Sequence, residues 1–294
     1  MKPKVLVILG PTATGKSDVA VKLAKKFNGE IISADSRQIY KGMNLGSGKI
    51  TKKEMSGIPH YLLDVLSPKE LFSVSEYKKL AEKEVEKIIS RGKLPIIVGG
   101  TGFYIDSIVK NIELPSVLPN KKLRKILEKK SAEELFKLLK KLSPTRAKSI
   151  DKYNKIRIVR AIEIAKALGN VPKIVEKPSK YDFILMGLDM KDTDLKNRIA
   201  KRLEKRLKLG MIQEVQKLHR QGISWKRLES FGLEYRQIAL FLQKKMSKNH
   251  MKEILKKEIW QYVKRQRTWF KRNENISWFK PNQISKIARR IKIS

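Results

Sequence analysis

The sequence predicts an α/β protein built on a parallel sheet, and three observations lead there. Short apolar runs alternate with helix-period stretches through the first hundred residues. A glycine-rich loop joins the first run to the first helical stretch. A lysine-rich tract of helical pattern, bracketed by prolines, separates the third apolar run from the fourth.

Strand 5–9, helix 17–27 and strand 30–34, followed by helix 75–91 and strand 94–98, give the rhythm of parallel strands joined by crossover helices. Strands covered on both faces read as unbroken apolar runs, as Val5-Leu6-Val7-Ile8-Leu9 and Pro95-Ile96-Ile97-Val98 do. The fourth run, Phe183-Ile184-Leu185-Met186-Gly187-Leu188, follows only after the lysine-rich tract. Pro115 and Pro119 open that tract and Pro172 and Pro178 close it, and proline breaks regular elements. The expected organisation is therefore a core of residues 1–117 and 179–294 with a small all-helical domain inserted at 118–178. Beyond Met190 the pattern predicts long helices over 194–221 and 251–271, with Gly222 and Gly232 marking turns.

Composition narrows the function classes. A chain of 294 residues that is 41% hydrophobic can bury a substantial core. Lysine and arginine number 67 against 29 acids, and 67 minus 29 gives a formal charge of +38, which points to a polyanionic partner. The sequence has no apolar run of the roughly 18 residues that a membrane helix needs, so no membrane partner is expected. Without cysteine, disulfides, thiolate catalysis and cysteine-ligated zinc are excluded, and the scattered His60, His219 and His250 make poor metal ligands. A cytoplasmic location is expected.

Gly10-Pro11-Thr12-Ala13-Thr14-Gly15-Lys16-Ser17 fits the phosphate-loop pattern, with a strand before it and a helix after it. Glycines let the backbone wrap close to an anion, the loop N–H groups point inward, and the helix presents its positive end. Lys16 adds a full charge, and Ser17 can ligand Mg2+. These eight residues predict diphosphate binding on a P-loop NTPase-like sheet flanked by helices. They do not say whether the diphosphate belongs to ATP or to something else. Asp35 follows the second strand in Asp35-Ser36-Arg37-Gln38, at the sheet edge where open α/β folds bind ligands. A helix cap or a magnesium ligand would explain it, and so would a general base.

Seven stretches in order resemble the tRNA dimethylallyltransferases, also called tRNA isopentenyltransferases. These are Gly10 to Ser17, Asp35 to Met43, Gly57 to Asp64, Val98 to Tyr104, Arg157 to Glu163, Arg198 to Arg202 and Lys264 to Phe270. Two departures stand out: His60-Tyr61 where the family usually has two histidines, and Arg206 where a methionine is common.

The resemblance implies transfer of a dimethylallyl group from dimethylallyl diphosphate to the N6 amine of the adenine 3′-adjacent to the anticodon. Lys16, the loop amides and Mg2+ would stabilise the departing diphosphate, and Asp35 would take the amine proton. By resemblance, Thr101 touches the reacting centre or the tRNA, although a turn threonine is the plainer reading. Arg198 and Arg202 match arginines expected to engage diphosphate. With Arg206 they recur at i, i+4 and i+8, which also suits a solvated stripe.

The target base must be turned out of its stacked loop to meet the donor. Asp35, Ser36, Arg37, Gln38 and Thr101 would meet it, while the resemblance implies that Arg124 and the segment Ile156-Arg157-Ile158-Val159-Arg160 of the insertion grip the tRNA anticodon loop. Lys264 to Arg272 interleaves cations with aromatics, which suits nucleic acid or helix packing equally. A monomer is expected. The rival readings are a P-loop kinase of a nucleoside or other small molecule, which has no use for +38, and a non-catalytic RNA-binding protein, which leaves Lys16, Asp35 and Thr101 unexplained.

Overall fold

The computed structural model describes residues 1–293 and separates into two compact units. The larger holds residues 1–111 and everything from Pro178 onward; the smaller is Ile112–Lys177.

The larger unit begins with β1 (Lys4–Leu9), α1 (Lys16–Lys26), β2 (Gly29–Ala34), α2 (Lys52–Met55), β3 (His60–Tyr61), α3 (Val74–Ser90), β4 (Leu94–Gly99) and α4 (Gly102–Val109). The smaller unit contributes β5 (Ile112–Glu113), α5 (Lys121–Leu127), α6 (Ala132–Leu142), α7 (Pro144–Ser149), α8 (Lys155–Leu168) and β6 (Val175–Glu176). The chain then returns through β7 (Asp182–Leu188), α9 (Asp192–Lys208), α10 (Met211–Arg220), α11 (Trp225–Ser230), α12 (Leu233–Leu242), α13 (Lys248–Phe270), β8 (Ser277–Phe279) and α14 (Ile284–Ile293).

Six parallel strands form one sheet in the order β3-β2-β4-β1-β7-β8. The unbroken apolar runs serve both faces by alternation. Val5, Val7, Leu9 and Ile97 pack with the buried side chains of α3, α4, α10 and α12. Leu6, Ile8, Ile96 and Val98 face α1 and α14. Each fully buried Val, Leu or Ile contributes roughly 1.5–3 kcal/mol, so this two-sided burial is what holds the sheet level under the site.

The predicted helix over 194–221 is two helices. Gly210 adopts φ 98°, a conformation an L side chain rarely tolerates, and ends α9 before α10 begins. The short β3, β8 and α14 carry too few periodic residues to announce themselves. In β3, His60 and Tyr61 pair with Ile31 and Ile32, and the Tyr61 hydroxyl donates to the nearly buried Glu30. That pairing gives the His60-Tyr61 segment a structural role.

In the smaller unit, β5 and β6 pair antiparallel through Ile112 with Glu176 and Glu113 with Val175. This pairing takes its start to Ile112, six residues before the boundary that the prolines suggest. Its core is Leu127, Leu135, Leu139, Ala147, Ile158, Val159, Ala161 and Ile162. Ser131 and Glu134 form a reciprocal cap that starts α6.

Candidate functional site

Strand register brings the sequence-predicted residues of the larger unit to one edge. Leu9 is in register with Gly99 and with Gly187, and Gly99 with Ala34. Neighbouring strands lie about 4.8 Å apart, so the loops leaving β1, β4 and β2 start side by side. They carry the phosphate loop, Thr101 and Asp35.

The phosphate loop runs from Gly10 to Gly15. Ala13 and Gly15 take left-handed φ values of 64° and 90°, a curl that turns successive N–H groups inward. The buried Thr14 hydroxyl donates to Pro11 O at 2.9 Å, and Lys16 Nζ donates to the same carbonyl at 2.6 Å. Lys16 and Ser17 open α1, where backbone donors have no intrahelical partner and the helix dipole favours an anion. Burial pushes the Lys16 ammonium down to about 7. Arg202 pushes the same way, and Asp35 and Asp189 oppose them.

Asp35 Oδ1 accepts from the backbone N–H of Arg37 at 2.8 Å and of Gln38 at 3.3 Å. Asp35 therefore caps no helix but shapes its own turn through one oxygen, and the second remains for a ligand. Thr101 precedes α4 but does not cap it. Its Oγ1 accepts from Ser36 N–H at 3.2 Å, which ties the Thr101 turn to the Asp35 turn and leaves the hydroxyl proton to donate elsewhere. Tyr262 of α13 faces the same charges: burial and then Asp35 push its phenol up to about 12.

The three arginines of α9 are not a solvated stripe. Arg198 Nη1 donates to Thr14 O of the phosphate loop at 3.3 Å, and Arg202 Nη2 donates to Gly48 O at 3.0 Å. Arg206 pairs with the buried Glu234 and leans on Gly46 O and Met211 Sδ. Desolvation, then Arg206, lowers the Arg202 guanidinium. A Cβ on Gly48, itself at φ 62°, would overlap the Arg202 guanidinium, so glycine is what allows the approach.

Some expected contact residues have internal partners. Arg37 Nε donates to Phe231 O at 2.7 Å, with the guanidinium 5.7 Å from the Phe231 ring centroid. Gln38 Nε2 reaches Gly48 O only at 3.5 Å. In the smaller unit, Arg124 is bidentate to Glu163 at 2.7 Å on both arms, and Arg160 reaches Glu163 at 3.3 Å and Val117 O at 2.7 Å. Ile158 and Val159 are buried in that unit's core, so their side chains are not open to RNA, whereas Ile156 and Arg157 are exposed. The aromatics of α13 serve packing: Phe270 is buried, Trp269 Nε1 donates to Asp106 at 2.9 Å, and Trp260 packs on Leu195 and Ile199 of α9.

Two residues escaped the sequence reading. Glu214 accepts from Asn44, Leu45 and Gly46 N–H at 2.7–2.9 Å and from the Tyr235 hydroxyl, fixing the loop that presents Gly48 to Arg202. Gln266 bonds to both the phosphate loop and the Thr101 turn. Glu214 gives no signal in sequence, because three of its partners are backbone atoms of a distant loop and the fourth, the Tyr235 hydroxyl, lies on another helix. Gln266 sits on the apolar stripe Val263, Gln266, Phe270, and that misplaced amide is a readable sign.

Fold and site together define a P-loop-type α/β enzyme whose loop, carboxylate and hydroxyl converge on one sheet edge. The family model described as IPP transferase matches residues 38–273. A tRNA dimethylallyltransferase of Acetivibrio thermocellus is 40% identical over 98% of this chain and 95% of its own length, and one of Staphylococcus aureus is 40% identical over 97% and 94%. The solved tRNA isopentenylpyrophosphate transferase of Bacillus halodurans superposes with a TM-score of 0.75 at 34% identity, covering 99% of this chain and 96% of that one. A eukaryotic dimethylallyltransferase solved acting on tRNA gives 0.74 at 28% identity, over 91% of this chain and 69% of that chain. The chain belongs to the tRNA dimethylallyltransferase family. It is a prenyltransferase that modifies tRNA, and the kinase reading is set aside.

Proposed function

We propose that the enzyme moves the dimethylallyl group of dimethylallyl diphosphate onto the N6 amine of the adenine 3′-adjacent to the anticodon, releasing diphosphate. The observation that carries this reading is the level alignment of phosphate loop, Asp35 and Thr101 at one sheet edge. The allylic C–O bond breaks as the N6–C bond forms, and negative charge grows on the leaving oxygens. Lys16, the loop amides and the α1 N-terminus stabilise that charge in a partly desolvated site. Arg198, bonded to the loop at Thr14 O, and Arg202 add positive charge on the same side.

The adenine amine is a weak nucleophile because its lone pair is delocalised. The second oxygen of Asp35 accepts its proton, while Oδ1 stays anchored to the turn. The Thr101 hydroxyl, held by Ser36 N–H, donates to the base or to the leaving group. Gln38, with only a long hydrogen bond of its own, is suited to the base edge.

A divalent cation suits this donor set. Among the described residues no cluster of three or more His, Cys, Asp or Glu is placed to hold a metal by itself. A Mg2+ would take its ligands from the Ser17 hydroxyl, diphosphate oxygens and water, and would supply charge neutralisation to the leaving group.

Ser36, Arg37 and the exposed Ile156 and Arg157 face RNA in this reading, with Arg124 and Arg160 acting through Glu163 to hold the insertion's surface in shape. The enzyme works in the cytoplasm as a monomer. No helix among the described residues is long and apolar enough to cross a membrane.

The test is incubation with radiolabelled dimethylallyl diphosphate and unmodified tRNA, with labelled ATP in parallel. Label is expected on N6 of that adenine. Phosphate transfer from ATP in place of prenyl transfer would overturn the proposal.

A further inference from the structure

Gln266 is a polar residue in an apolar position. It lies on α13 between Val263 and Phe270, both buried, and is itself only 5% exposed. A buried primary amide is costly unless both of its ends are satisfied. Here both are. Oε1 accepts from the N–H of Thr12 at 2.9 Å, and Nε2 donates to the carbonyl of Gly100 at 2.8 Å.

The two partners belong to opposite halves of the reaction. Thr12 is part of the loop that receives the leaving group. Gly100 precedes Thr101, whose hydroxyl is hydrogen-bonded to the Asp35 turn on the acceptor side. A line of three hydrogen bonds thus runs from the phosphate loop through the Gln266 amide to the Thr101 and Asp35 turns. Gly100 has the space for it only because it lacks a side chain, since a Cβ there would overlap Nε2. The near substitutes do not serve both partners: ionised Glu cannot donate, Asn is one methylene short, and Met or Leu satisfies neither.

We infer that Gln266 is a positioning residue that sets the register between the diphosphate cradle and the amine-accepting side, through its paired bonds to Thr12 and Gly100. The inference rests on the prenyl-transfer reading of the site. Transfer needs the reacting atoms within about 3–3.5 Å and aligned, and a misplacement of about 1 Å can cost on the order of a hundredfold. The phosphate loop and the Thr101 turn leave neighbouring strands and share no other direct hydrogen bond among those of the described residues. Helix α13 is held independently of Gln266. Arg267 is bidentate to Asp189 at 2.8 and 2.9 Å and reaches Met190 O at 2.9 Å, Trp269 donates to Asp106, and Phe270 is buried. Removing the amide should therefore loosen the loops without undocking the helix.

The experiment uses the full chain with Gln266→Met and Gln266→Glu, read by melting temperature, inorganic pyrophosphate affinity, tRNA affinity and single-turnover transfer of labelled dimethylallyl to tRNA. Gln266→Met is expected to melt within a few degrees of wild type and to bind pyrophosphate and tRNA within about threefold of it. Its transfer step should be slower by about 10- to 100-fold. Gln266→Glu should recover toward wild-type rate as pH falls, because a protonated carboxyl can accept from Thr12 and donate to Gly100 at once. An unchanged transfer rate in Gln266→Met refutes the inference while leaving prenyl transfer intact. So does a rate loss matched by an equal loss of pyrophosphate affinity, or a rate loss that tracks melting temperature with no recovery in Gln266→Glu. If wild type itself transfers no prenyl group, the reading of the site fails and this inference fails with it.

Discussion

Asp35 does two jobs with two oxygens, and a pair of substitutions separates them. Oδ1 accepts from Arg37 and Gln38 N–H, which shapes the turn, while the other oxygen is the proposed proton acceptor. Asp35→Asn keeps an acceptor for the turn and deletes the base. General-base help is worth about 10²–10⁴ in rate, or about 3–5.5 kcal/mol of barrier, so single-turnover transfer should slow by that factor with little change in melting temperature. Asp35→Ala loses the turn bonds as well. One is 2.8 Å and one a weaker 3.3 Å, so a total of about 2 kcal/mol is a fair expectation, enough to lower the melting temperature by several degrees. Both variants should bind tRNA within about threefold of wild type by filter binding. The reasoning fails if Asp35→Asn transfers within tenfold of wild type, or if its loss is entirely in tRNA affinity.

Four further outcomes follow. Because burial holds Lys16 down to about 7, it loses charge as pH rises through that value. An incoming diphosphate favours the charged form, so calorimetry in buffers of different ionisation heat at pH 8 should show close to one proton taken up per pyrophosphate, and Lys16→Met should abolish the uptake. Glu214→Ala should leave amides 44–46 unprotected in hydrogen exchange and raise KM for the prenyl donor about tenfold, since Gly48 then no longer holds Arg202; unchanged exchange at 44–46 would count against it. Arg157→Ala should flatten the log–log salt dependence of tRNA affinity by about one phosphate contact, a slope change of about 0.7–0.9, without destabilising the protein. By contrast, Arg124→Ala strands part of the charge of Glu163, which is 1% exposed at its side chain, and should cost about 3 kcal/mol in a denaturant melt.

The parts of the molecule that sequence discloses are those whose cause is local. Unbroken apolar runs announce β1, β4 and β7 because both their faces are covered, and the phosphate loop announces itself because its glycines answer a local backbone demand. Asp35 and Thr101 are legible once a parallel sheet is assumed, since each follows a strand at the ligand-bearing edge. Arg124 and Arg160 are harder: an arginine reads the same whether it meets a phosphate or a buried carboxylate, and only the fold brings Glu163 under both. Gly210 falls inside an otherwise periodic helix, so its left-handed turn stays invisible until the φ angle is known. Gln266 lies between these cases. Its polarity on an apolar stripe is visible, but its partners are backbone atoms 254 and 166 residues away.

The arginines of α9 show how the site reconciles two demands. A site for a diphosphate must gather positive charge before the ligand arrives, and gathered cations repel. Each arginine here is held by a different acceptor: Arg198 by the carbonyl of Thr14, Arg202 by that of Gly48, and Arg206 by the carboxylate of Glu234. Backbone carbonyls bind a guanidinium without neutralising it, so neither of the two arginines nearest the phosphate loop has its hydrogen bond to a carboxylate. The ion pair is spent on Arg206, the most distant of the three along the helix. The residual tension falls on Lys16, whose ammonium is lowered by burial and by Arg202, and a bound diphosphate would relieve it. On this logic Arg206→Met combined with Glu234→Gln should bind pyrophosphate within a few-fold of wild type, because the pair removed is a neutral unit. Arg202→Met should weaken binding at least tenfold, and equal losses from both changes would show that the charge is shared rather than graded along the helix.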